Sequence, residues 1–285
     1  SSDDTTKRIR RRADQWRFVH DLDDDALAKQ VRDDRIDILI ELSGHTAGNR
    51  LSAMARRLAP VQMAYIGYAA TTGLSRIDYR ITDDATDPPG MERYYTEKLL
   101  RIPGGCLTYL PPGNPPPVKQ DKRADGRPFT YGCFNNLSKV TDQCLNAWIE
   151  ILNRAPDTRL MLKAPQLADP EMRARLEAKF TAGGIDPSRL DLLGHTKTQY
   201  EHFDLYNQID LALDTFPYNG GTTTCEALHM GVPVVTYAEP GRPFRMGAGL
   251  LDYSKPRSNM QYSIKGYIDE SLSVGMTFIR PAAIF

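Results

Sequence analysis

The chain has 285 residues, 41% of them apolar and 25% charged, which is enough to bury one or two ordinary hydrophobic cores. Lysine plus arginine and aspartate plus glutamate each number 36, so no net charge favours nucleic acid or a membrane surface as a partner. No apolar run approaches the ~18 residues of a membrane span, and the first residues lack the apolar core of a signal peptide. We therefore expect neither a nucleic-acid partner nor a membrane.

The four cysteines lack the spacing of metal ligands. They are Cys106, Cys133, Cys144 and Cys225. Isolated cysteines of this kind are typical of a reduced protein, and we expect a cytoplasmic one.

Helix and strand patterns alternate in the first part of the chain. The segment DDDALAKQVRDD places Leu27 and Val31 on one face of an amphipathic helix, and the basic run KRIRRR before it is typical of a solvated helix end. A second helix, after the loop SGHTAGNR, has Leu51, Met54 and Leu58 on one side. Apolar runs predict three strands, at Ile36–Leu42, Val61–Tyr68 and Ile77–Thr82. This alternation indicates a doubly wound α/β domain with too few strands, so we expect the first domain to be incomplete.

The segment Pro103–Pro128 is the densest cluster of proline and charge in the chain. Tandem prolines favour extended backbone and cannot pair within a sheet, which predicts an interdomain linker. We therefore assign residues 1–118 to the first domain with its linker and residues 119–250 to a second domain.

The second domain also alternates strands and helices. The predicted strands are Phe129–Phe134 and Arg159–Lys163, and the predicted helices follow the cap Thr141, span Glu171–Ala182 and span Thr198–Gln208, where Thr198 and Glu201 have capping-box spacing. Lys139 and Asn136 lie in the loop after the first of these strands, and His202 lies early in the last helix. On the residues alone, a lysine and a histidine in such places are usually solvated or surface residues.

The segment Asn207–Tyr237 predicts a strand, a glycine loop, a helix, a tight turn and another strand. In the loop, Gly220 and Gly221 permit backbone angles that other residues avoid, and the hydroxyls of Thr222 and Thr223 follow at the helix start. A helix start at the carboxyl edge of a parallel sheet presents free N–H groups that suit a diphosphate. A nucleotide site is therefore one interpretation of this segment.

A second interpretation is purely structural. Thr223 and Glu226 have the T-x-x-E spacing of a capping box, which would stabilise the helix by about 1 kcal/mol and do nothing else. The local chemistry leaves both interpretations open.

The segment DTFPYNGGTTTCEALHMGVPVVT resembles the donor site of the O-linked N-acetylglucosamine (O-GlcNAc) transferases, the SPINDLY-like family of inverting glycosyltransferases. The resemblance extends in order through IDILIELSGHTAGNRL, APVQMAYIGYAATTGLSRIDYRITD, FTYGCFNNLSKVTDQCLNAWIEILNRAPDTRLML and TQYEHFDLYNQIDLALDT, over residues 15 to 250. It implies two facing Rossmann-like domains of the GT-B type, with the first domain cut at its N-terminus. Residues 251–285 do not resemble the closing helices of the family, and we expect a divergent tail or a truncation there.

The resemblance also implies roles for individual residues. Lys139 matches the phosphate-contacting lysine, which would stabilise the leaving group, and Asn136 matches an amide donor contact. His202 matches a nucleotide-contacting histidine. The remaining expected donor-site residues are Gly220, Gly221, Thr222, Thr223 and Glu226.

Several positions depart from the family pattern. Gly221 replaces a histidine, Glu226 replaces an aspartate that contacts ribose, and Gln199 and Leu205 replace a lysine and an arginine. The histidine implicated in catalysis lies in an earlier unit that is not found here, and the position of His45, in the SGHT loop, is variable in the family. We favour a structural or acceptor-facing role for His45 over that of general base, and the general base stays unassigned.

The resemblance implies transfer of N-acetylglucosamine from UDP-N-acetylglucosamine to a Ser or Thr hydroxyl of a protein, with inversion and without a metal or another cofactor. Tetratricopeptide repeats usually precede this region, and we expect them upstream. A related transferase that uses UDP-glucose is one alternative. A UDP-sugar-binding module without turnover is another.

Overall fold

The structure is a computed structural model that describes residues 3–239, 244–254 and 259–279. Its helices are α1 (Asp4–Arg10), α2 (Asp24–Asp33), α3 (Leu51–Met54), α4 (Asp142–Arg154), α5 (Pro170–Ala182), α6 (Gln199–Asp204), α7 (Thr222–His229), α8 (Met246–Ser254) and α9 (Ile264–Ile279). Its strands are β1 (Ile38–Glu41), β2 (Val61–Ala64), β3 (Tyr79–Thr82), β4 (Lys98–Arg101), β5 (Phe129–Cys133), β6 (Thr158–Lys163), β7 (Leu190–Leu193), β8 (Leu211–Leu213), β9 (Val234–Tyr237) and β10 (Met260–Gln261). Of the helices in the described ranges, none has the length and apolar character needed to cross a membrane.

The chain divides into two compact units. The first unit comprises the residues up to Arg80 together with Thr96–Lys98, and the second comprises Ile81–Tyr95 and the residues from Leu99 onward. The sequence instead predicts a boundary at residue 118, within the proline-rich segment. The boundary at residue 118 stays a prediction. The contacts group the whole proline-rich segment with the second unit.

The N-terminal sheet has four strands in the order β1-β2-β3-β4, where β2 pairs in parallel with both β1 and β3. The core of the first unit joins α2 and α3 to the sheet through buried side chains such as Leu27, Val31, Leu51 and Ile77. The predicted helix through Leu58 is shorter than expected, because α3 ends after one turn. The reason is local, since Arg57 takes a left-handed backbone conformation just before the chain reaches Pro60.

The first strand, β1, is an edge strand with an uncovered apolar row. Ile38 and Ile40 are 54% and 44% exposed, and the flanking Ile36 and Leu42 are 37% and 56% exposed. These four residues alternate along the chain and so lie on one side of the strand. We call them the apolar row of β1. The side chain of Glu41, in contrast, is buried, and its carboxylate accepts hydrogen bonds from the backbone N–H groups of Ser43 and Gly44.

The second unit is built on a six-stranded sheet in the order β10-β9-β8-β5-β6-β7. The pairings of β5 with β6 and β8, of β6 with β7, and of β9 with β8 and β10 are all parallel. The chain runs outward from β5 through β6 to β7 and then returns to the other side of β5 with β8. The order therefore reverses between β5 and β8, and ligands of doubly wound sheets bind at the carboxyl ends of strands at such a reversal.

Helices cover both faces of this sheet. Tyr131, Leu160 and Leu162 pack against α4 and α9, whereas the intervening Met161 belongs to a second cluster with α6, α7 and α8. This alternation of period two confirms the buried strands predicted from the apolar runs.

The segment after residue 250, predicted to be a divergent tail, contributes to the second unit through α8, β10 and α9. Tyr267 in α9 is fully buried. Its hydroxyl donates to the backbone carbonyl of Asp214 at 3.0 Å and accepts from Trp148 Nε1 at 3.0 Å. Residues beyond 250 thus pack directly behind the end of β8.

Candidate functional site

A buried carboxylate organises the loop that follows β8. Asp214 is only 2% exposed, and its carboxylate accepts hydrogen bonds from the backbone N–H of Gly220 at 2.6 Å and the hydroxyl of Thr236 at 2.6 Å. Thr215 N–H at 2.8 Å and Asn135 Nδ2 at 3.2 Å also donate to it. Burial raises the pKa of this carboxyl, and the donors oppose that shift. Asp214 therefore ties the glycine loop to the ends of β5, β8 and β9.

Gly220 is glycine for a reason that the sequence did not indicate. It does not have the positive φ of glycines such as Gly231, so the predicted unusual backbone angle is wrong for this residue. A Cβ on Gly220 would instead lie 2.7 Å from Thr224 Oγ1 and 2.8 Å from Thr223 Oγ1. Close packing of the loop against the helix start excludes any side chain here.

The start of α7 has no side-chain cap. The N-cap residue is Gly221, and Thr223 donates its hydroxyl proton to Asn135 Oδ1 at 2.6 Å, not to its own helix. Glu226 bonds elsewhere, as described below, so the capping-box interpretation of Thr223 and Glu226 is wrong. Because no side chain takes the first N–H groups, the positive end of the helix stays available to an anion.

Lys139, in the 3₁₀ turn Leu137–Lys139 that follows β5, reaches the glycine loop. Its Nζ donates to the backbone carbonyl of Asn219 at 3.1 Å and lies 4.4 Å from the centroid of the Tyr218 ring. The ring of Tyr218 stacks in turn on Phe244, with 4.7 Å between centroids. Burial lowers the pKa of Lys139, while the Asp214 carboxylate opposes the shift. A partly desolvated ammonium thus lies against the loop that precedes α7.

A second polar cluster lies one turn along α7. His202 Nε2 is 3.0 Å from Glu226 Oε2, and His202 Nδ1 is 3.1 Å from Lys163 Nζ. The hydroxyl of Tyr206 is 3.0 Å from Glu226 Oε2 and 3.3 Å from the backbone carbonyl of Thr223. Tyr206 therefore links this cluster to the start of α7.

The structure brings most of the predicted residues to two places, the start of α7 and a point one turn along it. Gly220, Gly221, Thr222 and Thr223 form its start with Lys139 beside them, and His202 meets Glu226. Asn136 is different, because its exposed side chain accepts hydrogen bonds from Ser138 N–H and Gln166 Nε2. Its predicted contact with a donor stays a prediction.

Sequence reasoning missed five contributors to these clusters. They are Asn135, Lys163, Tyr206, Asp214 and Tyr218. A signal existed for three of them, because Asn135, Lys163 and Asp214 end or closely follow parallel strands, where ligand-facing residues concentrate. Within the described ranges, no group of three or more His, Cys, Asp or Glu side chains is placed to hold a metal ion.

In the first unit, the SGHT loop holds His45 in an exposed position. Its Nε2 lies 3.3 Å from the backbone carbonyl of Thr71, and its ring meets that of Tyr68 edge-on at 5.0 Å. These contacts orient the imidazole by backbone and aromatic packing. No carboxylate is among these contacts, and the role of His45 stays a prediction.

Comparisons with known proteins agree with this geometry. The model of glycosyl transferase family 41 matches residues 1–107 and 122–252. The probable UDP-N-acetylglucosamine–peptide N-acetylglucosaminyltransferase SPINDLY of Arabidopsis thaliana is 42% identical over 236 residues, which are 83% of this chain and 26% of that protein. The similarly named SEC of the same plant is 34% identical over 249 residues, 83% of this chain and 25% of that protein. The chain thus spans about a quarter of the length of these relatives.

Solved structures give the same result. A lysine-to-methionine variant of the O-GlcNAc transferase of Thermobaculum terrenum superposes with a TM-score of 0.90 at 38% identity, covering 96% of this chain and 52% of the other. HepE of Anabaena, solved in complex with UDP, has a TM-score of 0.55 at 15% identity over 90% of this chain and 72% of its own, which shows a shared fold only. The parallel sheets and these matches confirm the predicted α/β fold of the GT-B type. Since the family model matches two ranges that together make up most of the sequence, the chain belongs to glycosyl transferase family 41.

Proposed function

We propose that this chain carries the donor-binding region of a protein glycosyltransferase that moves N-acetylglucosamine from UDP-N-acetylglucosamine to a Ser or Thr hydroxyl. Family membership and the names of the relatives support the reaction class. The observation that carries the proposal is the uncapped start of α7 with the Lys139 ammonium beside it. Both features favour an anion at the same loop.

The proposed chemistry follows from the charge that develops when UDP departs. The acceptor hydroxyl oxygen gives up its proton to a general base, which stays unassigned, and forms its bond to the anomeric carbon on the face opposite the breaking bond to phosphate, so the configuration inverts. Lys139 donates one hydrogen to Asn219, so two N–H groups of the ammonium are left for phosphate oxygens. Together with the N–H groups of α7, they stabilise the leaving diphosphate, and we propose that no metal or other cofactor is needed. Transfer that stops when EDTA is added would contradict this part of the proposal.

Calorimetric titration with UDP tests the site. The parent chain should bind, and Lys139→Ala and Thr222→Ala should each weaken binding by about tenfold or more, because each removes a donor to phosphate. Thr223→Ala should also weaken binding, through loss of its bond to Asn135. A folded parent chain that does not bind UDP would refute the donor-site assignment.

A transfer assay then tests the sugar and the turnover. The chain is incubated with an acceptor peptide and with UDP-N-acetylglucosamine or UDP-glucose in separate reactions. Preference for the first donor supports the proposal, and preference for UDP-glucose supports the related transferase instead. UDP binding without transfer of any sugar would identify this chain as a binding module.

The cellular location is part of the proposal. All four cysteines are buried, and no disulfide joins them in the described part of the chain, which supports a reducing compartment such as the cytoplasm. Microscopy of the tagged protein tests this location.

A further inference from the structure

The contact between Lys163 and His202 lies at the carboxyl end of β6. Lys163 is the last residue of β6, and its Nζ is 3.1 Å from His202 Nδ1. The His202 ring is enclosed by Phe134, Phe203 and Tyr206, with ring centroids 6.1, 5.6 and 5.6 Å away. The imidazole therefore has aromatic walls and one polar neighbour at each nitrogen.

This arrangement fixes the tautomer of His202. An ammonium group has only hydrogens to donate, so Nδ1 must act as the acceptor. The ring proton of neutral His202 then lies on Nε2, which donates to Glu226 Oε2 at 3.0 Å. A proton on Nδ1 would face the hydrogens of the Lys163 ammonium, and Nε2 would then have no proton to donate to the carboxylate.

The two carboxylate oxygens of Glu226 differ in their hydrogen bonds. Both His202 and Tyr206 bond to Oε2, and neither bond uses Oε1. The side chain of Glu226 keeps 12% of its surface exposed. Oε1 is thus the oxygen left for a hydroxyl-bearing ligand, and the charge of the cluster is balanced because Lys163 offsets the carboxylate.

The ionisable groups around this pair come from several packed elements. Lys163 comes from β6, Glu226 from α7 and Tyr206 from the 3₁₀ turn Leu205–Gln208. Burial and, to a lesser extent, the charge of Glu226 raise the pKa of Tyr109 to about 12 and that of Cys225 to about 11. Burial lowers the pKa of Lys163, and Glu226 opposes that shift.

We propose that Lys163 is a positioning residue of the nucleotide site, whose ammonium holds His202 in the Nε2–H tautomer and so orients Glu226 to accept a ribose hydroxyl through Oε1. The inference rests on the proposed function, which supplies the nucleotide. Lys163 acts through His202, and it need not touch the ligand itself.

The first test needs no ligand. Nitrogen-15 NMR of the full chain, with the His202 signals assigned by loss in His202→Gln, should show a protonated Nε2 and an unprotonated Nδ1. Lys163→Met should give a mixture of tautomers, and Lys163→Arg, which keeps a cationic donor, should retain the parent spectrum. Lys265→Met is the control, because that lysine is 88% exposed on α9.

The second test measures recognition of the ribose. We expect the parent chain to bind UDP about tenfold more tightly than 2′-deoxy-UDP, since the deoxy compound lacks the hydroxyl for Glu226. Lys163→Met should reduce this preference to about twofold or less, and both Lys163→Arg and Lys265→Met should preserve it.

The outcomes separate this inference from the proposed function. An unchanged tautomer and an unchanged UDP preference in Lys163→Met would overturn the role of Lys163 even if UDP binds well. Absence of UDP binding in the parent would refute the proposed function and the ribose contact, whereas the ligand-free spectra would still decide whether Lys163 sets the tautomer.

Discussion

Gly220 is the tightest position of the glycine loop. Because a Cβ there would lie within 3.0 Å of Thr223 Oγ1, Thr224 Oγ1 and Asn135 Oδ1, Gly220→Ala must displace the bond between Thr223 and Asn135. We expect UDP affinity to fall by about tenfold or more, as measured by titration calorimetry.

The neighbouring glycine provides the control for this prediction. A Cβ on Gly221 would meet only Met246 Cγ, at an ordinary contact distance of 3.5 Å. Gly221→Ala should therefore weaken UDP binding much less. Equal losses in the two variants would show that the steric argument is wrong.

The charge of Lys139 predicts a pH dependence of UDP binding. Burial lowers the pKa of Lys139 from its usual 10.5, and only the protonated ammonium attracts phosphate. UDP affinity should consequently fall as the pH rises, and the fall should begin at a lower pH than for an exposed lysine. Lys139→Arg keeps its charge throughout this range, so its UDP affinity should vary less with pH. An identical pH profile in the parent and in this variant would exclude Lys139 as the titrating group.

Among individual residues, the sequence predicts as site residues those that lie at recognisable positions of a motif. Lys139, His202 and Glu226 are of this kind, and the structure places each of them in a polar contact of the two clusters. Asp214 and Asn135 were not predicted, because their contact depends on which strands are neighbours in the sheet. The bond between these two residues joins β5 and β8, which are far apart in the chain.

Among the elements, α9 supports the site from behind. Tyr267→Phe would leave Trp148 Nε1 and the carbonyl of Asp214 without their buried partner. We expect the free energy of unfolding to fall by about 1–3 kcal/mol, measured by urea denaturation. Tyr200→Phe serves as the control, since Tyr200 is 49% exposed and should be nearly neutral. A comparable loss in both variants would contradict a specific role for the Tyr267 hydroxyl.

Element boundaries were predicted best where local signals decide them. The capping box of Thr198 and Glu201 is present at the start of α6, and Thr141 caps α4 as expected. Thr223 and Glu226, in the first turns of α7, also have capping-box spacing but form no capping box. Thr223 bonds to Asn135 instead, and Glu226 bonds to His202. Tertiary contacts of this kind cannot be read from spacing alone.

For the whole molecule, the apolar row of β1 predicts self-association. Edge strands that expose apolar side chains tend to pair with other chains, and here four residues of the row are more than a third exposed. Sedimentation velocity should show concentration-dependent association of the parent chain and much less in the double variant Ile38→Lys/Ile40→Glu.

A single exposed leucine outside the row provides the comparison. Leu110 is 63% exposed in the proline-rich segment, and Leu110→Lys should leave the association unchanged. A parent chain that stays monomeric at every concentration would contradict the prediction that the apolar row of β1 causes self-association.

The bond from Tyr267 to the end of β8 sets a practical limit on trimming the chain. The family match ends at residue 252, whereas Tyr267, Ile268 and Leu272 fill the core from beyond that point. A fragment cut at the family boundary would expose the apolar underside of the sheet and release the backbone from which the glycine loop departs. For this protein, the part that the family model matches is shorter than the part that must be expressed to hold the glycine loop in place.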